Sequence, residues 1–351
     1  MVANVARIHP FTIIQRERIL PVPGRVLVKK GQQVSATDIV AITTLFPQCI
    51  ILDVAKALGV SAKKSDKYLK CKEDMQVAEG DILAGPVGFA KRVLRAPKDG
   101  KIMYISDGQI FIELASAPYE VKAGLPGVVK ELMDERGVII ETCGALVQGV
   151  WGNGSIDFGL LSVVSSDAKD VLAAHQLTVS LKGAVILAGQ CNDLETLNAA
   201  ASLPVRGMIL SSLPPELIQE AQQMPFPIIV IDGVGNIPMN SAAYKLLASN
   251  DKREVNINAE PWNHASGDRP EVVIPLPAAE NMPNPHPSID YVAGQLVKIV
   301  RAPYTGKVGK LVRIRPGMTT FQSGVNGVAG EIQLEDGIQA IVPLVNLEVL
   351  E

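Results

Sequence analysis

Gly294-Gln-Leu-Val-Lys-Ile-Val-Arg-Ala-Pro-Tyr-Thr-Gly-Lys-Val-Gly-Lys-Leu-Val-Arg-Ile314 is followed, after a loop, by Gly330-Glu-Ile-Gln-Leu-Glu-Asp-Gly-Ile-Gln-Ala-Ile-Val-Pro-Leu-Val-Asn-Leu-Glu-Val-Leu350. Val297 and Ile299 alternate with Lys298 and Val300, and Ile332 and Leu334 alternate with Gln333 and Glu335. Leu311 and Val312 lead to Ile314, with Arg313 and Arg315 outward. Period-two patterning in short runs separated by turn glycines predicts a small antiparallel barrel over residues 290–351.

The stretch resembles a KOW motif in an SH3-like barrel, as in transcription elongation factors and some ribosomal proteins. Gly294, Val297, Ile299, Tyr304, Gly306, Gly309, Leu311 and Val312 carry the likeness. The resemblance implies docking on RNA, a ribosome or RNA polymerase. The residues that would make that contact are Lys298, Arg301, Tyr304, Lys307, Lys310, Arg313 and Arg315. Their cations fall in a run, 298–315, that contains no acid. Lys and Arg hold phosphates without base preference, and a tyrosine offers a stacking face. The opposing reading is a solvated barrel face, with Tyr304 in the core or a turn. Later acids, Glu331, Glu335, Asp336, Glu348 and Glu351, stand ready to neutralise the run.

Working back to the N-terminus, residues 1–150 contain an imperfect repeat. Lys30-Gly-Gln-Gln-Val-Ser-Ala-Thr-Asp-Ile-Val-Ala echoes Lys72-Glu-Asp-Met-Gln-Val-Ala-Glu-Gly-Asp-Ile-Leu-Ala-Gly. Each copy predicts strand, tight turn, strand. Between them Ile51 to Tyr68 has helical spacing, with Asp53 as an N-cap. With the Ala96-Pro-x-Asp-Gly-Lys-Ile segment, the repeat resembles the barrel-sandwich hybrid of lipoyl and biotinyl carriers. The carrier role does not follow, because the place that matches the modified lysine, after Ile39-Val-Ala, reads Ile42-Thr-Thr-Leu-Phe-Pro.

Residues 151–260 change character. Apolar runs at Leu181, Val205 and Pro227 alternate with helical stretches beginning at Asp193, Pro215 and Ser241. Alternating units with unbroken apolar strands predict a parallel α/β domain. Glu254-Val-Asn-Ile-Asn-Ala is expected as an edge strand. Residues 261–289 are proline-rich and read as a stiff linker, with Val272-Val-Ile as a short strand inside it. The fold class is thus multidomain and mainly β: a barrel-sandwich hybrid, a parallel α/β domain and an SH3-like barrel.

Composition narrows the function. Net charge is −3, and Lys plus Arg against Asp plus Glu run 20 to 16 over residues 1–150, 6 to 11 over 151–262 and 7 to 9 over 263–351. No segment coats nucleic acid by charge alone. Cys49, Cys71, Cys143 and Cys191 are scattered, so neither a zinc site nor a disulfide framework is indicated. His9, His264 and His286 sit beside turn or linker residues and suit surface roles. No signal-peptide core and no apolar run of membrane-spanning length occurs, which points to a soluble cytoplasmic chain. No cofactor is expected.

One loop invites a small-molecule reading. Asp232-Gly-Val-Gly-Asn-Ile-Pro-Met follows a strand and precedes a helix, where Gly233 and Gly235 could aim backbone N–H groups at an anion. Pro238 replaces the third glycine of the dinucleotide fingerprint. Ser211, Ser212 and Asp232 could share a pocket at the same sheet edge. No histidine sits in a neighbouring βα loop to serve as a base, although His175 precedes the first strand, so a Ser-His-Asp arrangement has little support. A tight βα turn needing positive φ at Gly233 or Gly235 is the stronger reading of the glycines, and Ser212 capping the Pro214 helix is the stronger reading of the serines. The Gly149-to-Gly159 bend reads as a linker. The leading expectation is a non-catalytic adaptor, the alternatives being a protein-only scaffold and a ligand-binding sensor or enzyme.

Overall fold

The structure, a computed structural model, describes residues 4–45, 48–89, 91–115, 117–263, 267–277 and 290–350. The chain is mainly β, arranged in several sheets, and the strand pairing closes no barrel among the described residues. His264, His286, Glu351 and much of the proline-rich stretch lie outside the described residues.

The sequence repeat is a repeated turn. Asp38 accepts from the Ser35 backbone N–H and Asp81 from that of Ala78, each at 2.8 Å. Ala123 then donates to the Asp38 carbonyl and Ala96 to that of Asp81. An aspartate that captures the N–H three residues earlier sets the bend locally, so the same motif folds twice. The expected helical stretch begins later than its spacing suggests. Gln48–Asp53 is a strand, paired with Gln109–Leu114, and the helix is Val54–Leu58, capped by Asp53 through the Lys56 N–H.

The largest sheet runs through the middle of the chain. Ile156–Val163, Ala184–Leu187, Gly207–Leu213 and Ile228–Val234 are parallel neighbours. Parallel strands need crossovers, which the helices Leu194–Ser202, Ile218–Gln222 and Ser241–Ala248 occupy or follow. Alternate side chains face opposite layers. Ile229 and Ile231 pack with Ala243 and Leu247, whereas Ile228 and Val230 pack with Leu197 and Ala221. Asp193 and Asn240 cap two of these helices, accepting from Thr196 and Ala243 N–H.

Glu254–Asn258 is not an edge strand. It lies between Ile156–Val163 and Glu271–Pro275, and all but its first residue are buried. The reason is Glu271–Pro275, which pairs on its other side with Gly137–Gln148. Val272, Val273 and Ile274 are buried, so this part of the proline-rich stretch is sheet rather than linker. The ladder therefore continues from the middle strands into those of the first 150 residues.

Six strands form the C-terminal sheet, in the order Asn4–Ala6, Leu347–Leu350, Leu296–Ile299, Val308–Ile314, Ala329–Leu334, Gln339–Pro343. Val297, Ile299, Leu311, Ile332 and Val349 fill its core, each worth roughly 1.5–3 kcal/mol by burial. Asn4–Ala6 joins in parallel with Glu348–Leu350, bringing the two chain ends together.

Candidate functional site

The two candidate sites meet each other. Lys298 is only 2% exposed: it points to the face opposite the core residues Val297 and Ile299, beside its cross-strand partner Glu348, and Asp232 and Arg269 cover that face. Its ammonium lies 2.9 Å from Glu348 and 3.3 Å from Asp232. Arg269 completes the group, with Nη1 donating to Glu348 at 2.7 Å and its guanidinium stacked 4.0 Å over the Trp262 ring. Two cations and two anions thus compensate one another inside the protein, as buried charges require. Burial alone would lower the Lys298 ammonium, but Asp232 and Glu348 outweigh it and hold it above its ordinary value.

Asp232 belongs to the glycine loop. Its carboxylate also accepts from the Asn240 backbone at 2.8 Å and from Asn240 Nδ2 at 3.1 Å. Gly235 has φ +115° and donates its N–H to the Leu213 carbonyl, which fixes the turn. Ser212 Oγ accepts from the Ile237 N–H at 3.0 Å, and Ile237 abuts Gly306 of the C-terminal sheet. Ser241 Oγ donates to Glu335, a second bridge between the same regions. Ser211 is fully buried, its Oγ without a hydrogen-bond partner among the described residues. His175 is exposed on a separate short helix. Asp232 therefore joins the buried charges beside the C-terminal sheet, Ser212 fixes the loop through Ile237, and Ser211 lies buried in its strand. Trp151–Gly152 forms the outer strand of the large sheet beside Ile228–Val234 rather than a free bend.

The rest of the basic run is mostly held by carboxylates. Lys307 pairs with Asp336 at 2.6 Å. Arg313 makes two bonds to Glu331, at 2.7 and 2.9 Å, and Arg315 approaches the same carboxylate at 3.5 Å. Three acids downstream of the run thus neutralise four of its cations in all, Glu348 included. The Arg313 pairing holds the Glu331 carboxyl below its ordinary range, and Lys307 does the same for Asp336. Arg301 and Lys310 are exposed and carry no carboxylate among the described residues. The expectation of an outward face built from all seven residues is corrected at Lys298, whose face of the sheet is covered by Asp232 and the Glu348–Arg269 pair.

What remains open is a groove of about 720 Å³ beside the C-terminal sheet. Arg301, Tyr304 and Arg315 converge on it from the run, and Phe321, Ile341 and Val345 supply apolar surface. Its lining holds two arginines and no acid. Tyr304 also leans on the core, with Lys307 Nζ 5.8 Å from its ring centroid. Sequence reading missed Arg269, Phe321 and Ile341, since none belongs to a motif. Glu348 carried one signal: a charge in an otherwise apolar Leu-Glu-Val-Leu strand must find a partner.

Among the described residues no group of three His, Cys, Asp or Glu could hold a metal. No helix among them is long and apolar enough to cross a membrane. No protein-family model matches the chain, and no curated protein matches it.

Proposed function

We propose that the chain is a non-catalytic adaptor whose C-terminal module, of KOW type, docks on a nucleoprotein assembly such as a ribosome or RNA polymerase. The observation that carries the reading is the convergence of Arg301, Tyr304 and Arg315 on one open groove, while the serine and glycine loop is closed by internal contacts. The KOW-like pattern from Gly294 to Val312 supplies the class of partner. Parallel middle strands with apolar residues on both faces support an α/β reading of residues 151–260. The paired Asp38 and Asp81 turns support a barrel-sandwich-hybrid reading of residues 1–150. Both regions then act as the frame that holds the module.

Charge favours the protein component of the assembly as the surface touched. Six free cations on single-stranded RNA would give a log–log salt slope of about −4, but Arg301, Lys310 and the shared Arg315 would give only about −2. The full chain, immobilised and exposed to lysate, is expected to retain ribosomal or polymerase components before and after nuclease treatment. Recovery of neither, or recovery that vanishes with nuclease, would overturn the reading as stated.

A further inference from the structure

The groove has a wall that ordinary sheet edges avoid. Gln339–Pro343 is the last strand of the C-terminal sheet and, among the described residues, pairs on one side only, with Ala329–Leu334. Unpaired edges are usually blunted by charge, bulges or a covering segment. Here the strand reads Gln-Ala-Ile-Val-Pro, with no charged residue, and Ile341 is 48% exposed.

Register identifies the free groups. Leu334 N–H donates to the Ile338 carbonyl and Leu344 N–H to that of Val328. Ala340 stands opposite Ile332 and Val342 opposite Gly330. In an antiparallel ladder the bonded pairs recur every second residue, so residues 338, 340, 342 and 344 turn their amides inward. Gln339 and Ile341 therefore direct N–H and C=O away from the sheet, and Pro343 has no N–H to offer. The other wall is the 319–327 hairpin, in which Thr319–Thr320 pairs with Asn326–Gly327.

We propose that an extended acidic–apolar segment of a partner protein adds to this edge as a further strand, its backbone bonding to Ile341. Strand addition takes affinity from main-chain hydrogen bonds and selectivity from side-chain pockets. Phe321, Ile341 and Val345 receive the apolar side chains, while Arg301 and Arg315 select carboxylates over amines. A second copy of this chain is disfavoured, because edge-to-edge pairing would bring two such arginine pairs together. The inference rests on the groove being the docking surface and names what enters it.

The test uses the full chain and fluorescein-labelled (Glu-Val)3, with (Lys-Val)3 and oligouridine as comparison probes, read by anisotropy. The acidic peptide is expected to bind at least about tenfold tighter than the basic one, a difference of about 1.4 kcal/mol. Binding should slow hydrogen exchange at the Ile341 amide. Ile341→Pro removes an outward N–H that no ladder bond uses, a placement edge strands tolerate, and should weaken the peptide about tenfold or more. Arg301→Glu alters only an exposed side chain and should do the same, which keeps the test intact should the proline variant unfold. Equal affinity for both peptides, no saturation, or binding untouched by Arg301→Glu would overturn the inference. So would Tyr304-dependent capture of oligouridine with the acidic peptide inert. Either result would leave the assembly capture standing, whereas peptide binding without assembly capture would sink the adaptor reading and spare this one.

Discussion

Lys298 shows how one residue changes meaning between sequence and structure. It sits in an acid-free run, which reads as a phosphate-binding face. The face of the sheet to which it points is covered, however, and the ammonium meets Asp232 and Glu348 there. Breaking such a pair from one side leaves charges buried without compensation, at about 3–5 kcal/mol. Lys298→Met should therefore lower the unfolding free energy by that order in a denaturant titration, whereas Arg301→Glu should leave it nearly unchanged. Glu348 gives the pH dependence. Burial pushes its carboxyl up, but Lys298 and Arg269 outweigh burial and hold it below the ordinary range. A depressed folded value means that the stabilisation is complete above the unfolded value, about 4.3, and is lost as pH falls through the folded one. The acid limb of a stability–pH profile should flatten in Glu348→Gln, at the cost of lower stability at neutral pH. An unchanged acid limb would contradict the coupling.

Elements governed by local chemistry were legible in the sequence. The Asp38 and Asp81 turns and the apolar strands after Leu181, Val205 and Pro227 all follow from short-range rules, and they stand where those rules put them. Gly235 is of this kind too. Its φ of +115° suits glycine, and nothing lies within 4 Å of an added Cβ, so backbone conformation is the whole obstacle. Gly235→Ala should cost about 1–3 kcal/mol in thermal or chemical unfolding. An unaltered stability would detach the glycine from the turn. Long-range pairing was not legible. Glu254–Asn258 reads as an edge because half of its neighbours, Glu271–Pro275, lie beyond a stretch that looks like linker. The groove escaped notice for the same reason: Arg301, Phe321 and Ile341 share a surface only after the intervening turns have closed.

At the scale of the whole molecule, the segments expected as independent units share structure. The N-terminal Asn4–Ala6 strand completes the C-terminal sheet, Asp232 and Arg269 complete its buried charges, and Glu271–Pro275 joins the middle strands to Gly137–Gln148. An excised fragment of residues 290–351 should accordingly be far less stable than the same sheet in the full chain, as followed by amide exchange at Val297 and Leu311. Equal protection in the fragment would show that these contacts are dispensable. The internal use of the cations also bears on the proposed docking, because Lys298, Lys307 and Arg313, at 2.9, 2.6 and 2.7 Å from a carboxylate, are not free to hold another molecule, whereas Arg315 lies 3.5 Å from Glu331 and still lines the groove. The most direct measurement is assembly capture by two double variants of the full chain, side by side. Arg301→Glu with Tyr304→Ala should abolish retention of ribosomal or polymerase components, and Lys307→Gln with Arg313→Gln should leave it at the wild-type level. Loss in the second variant with retention in the first would contradict the account.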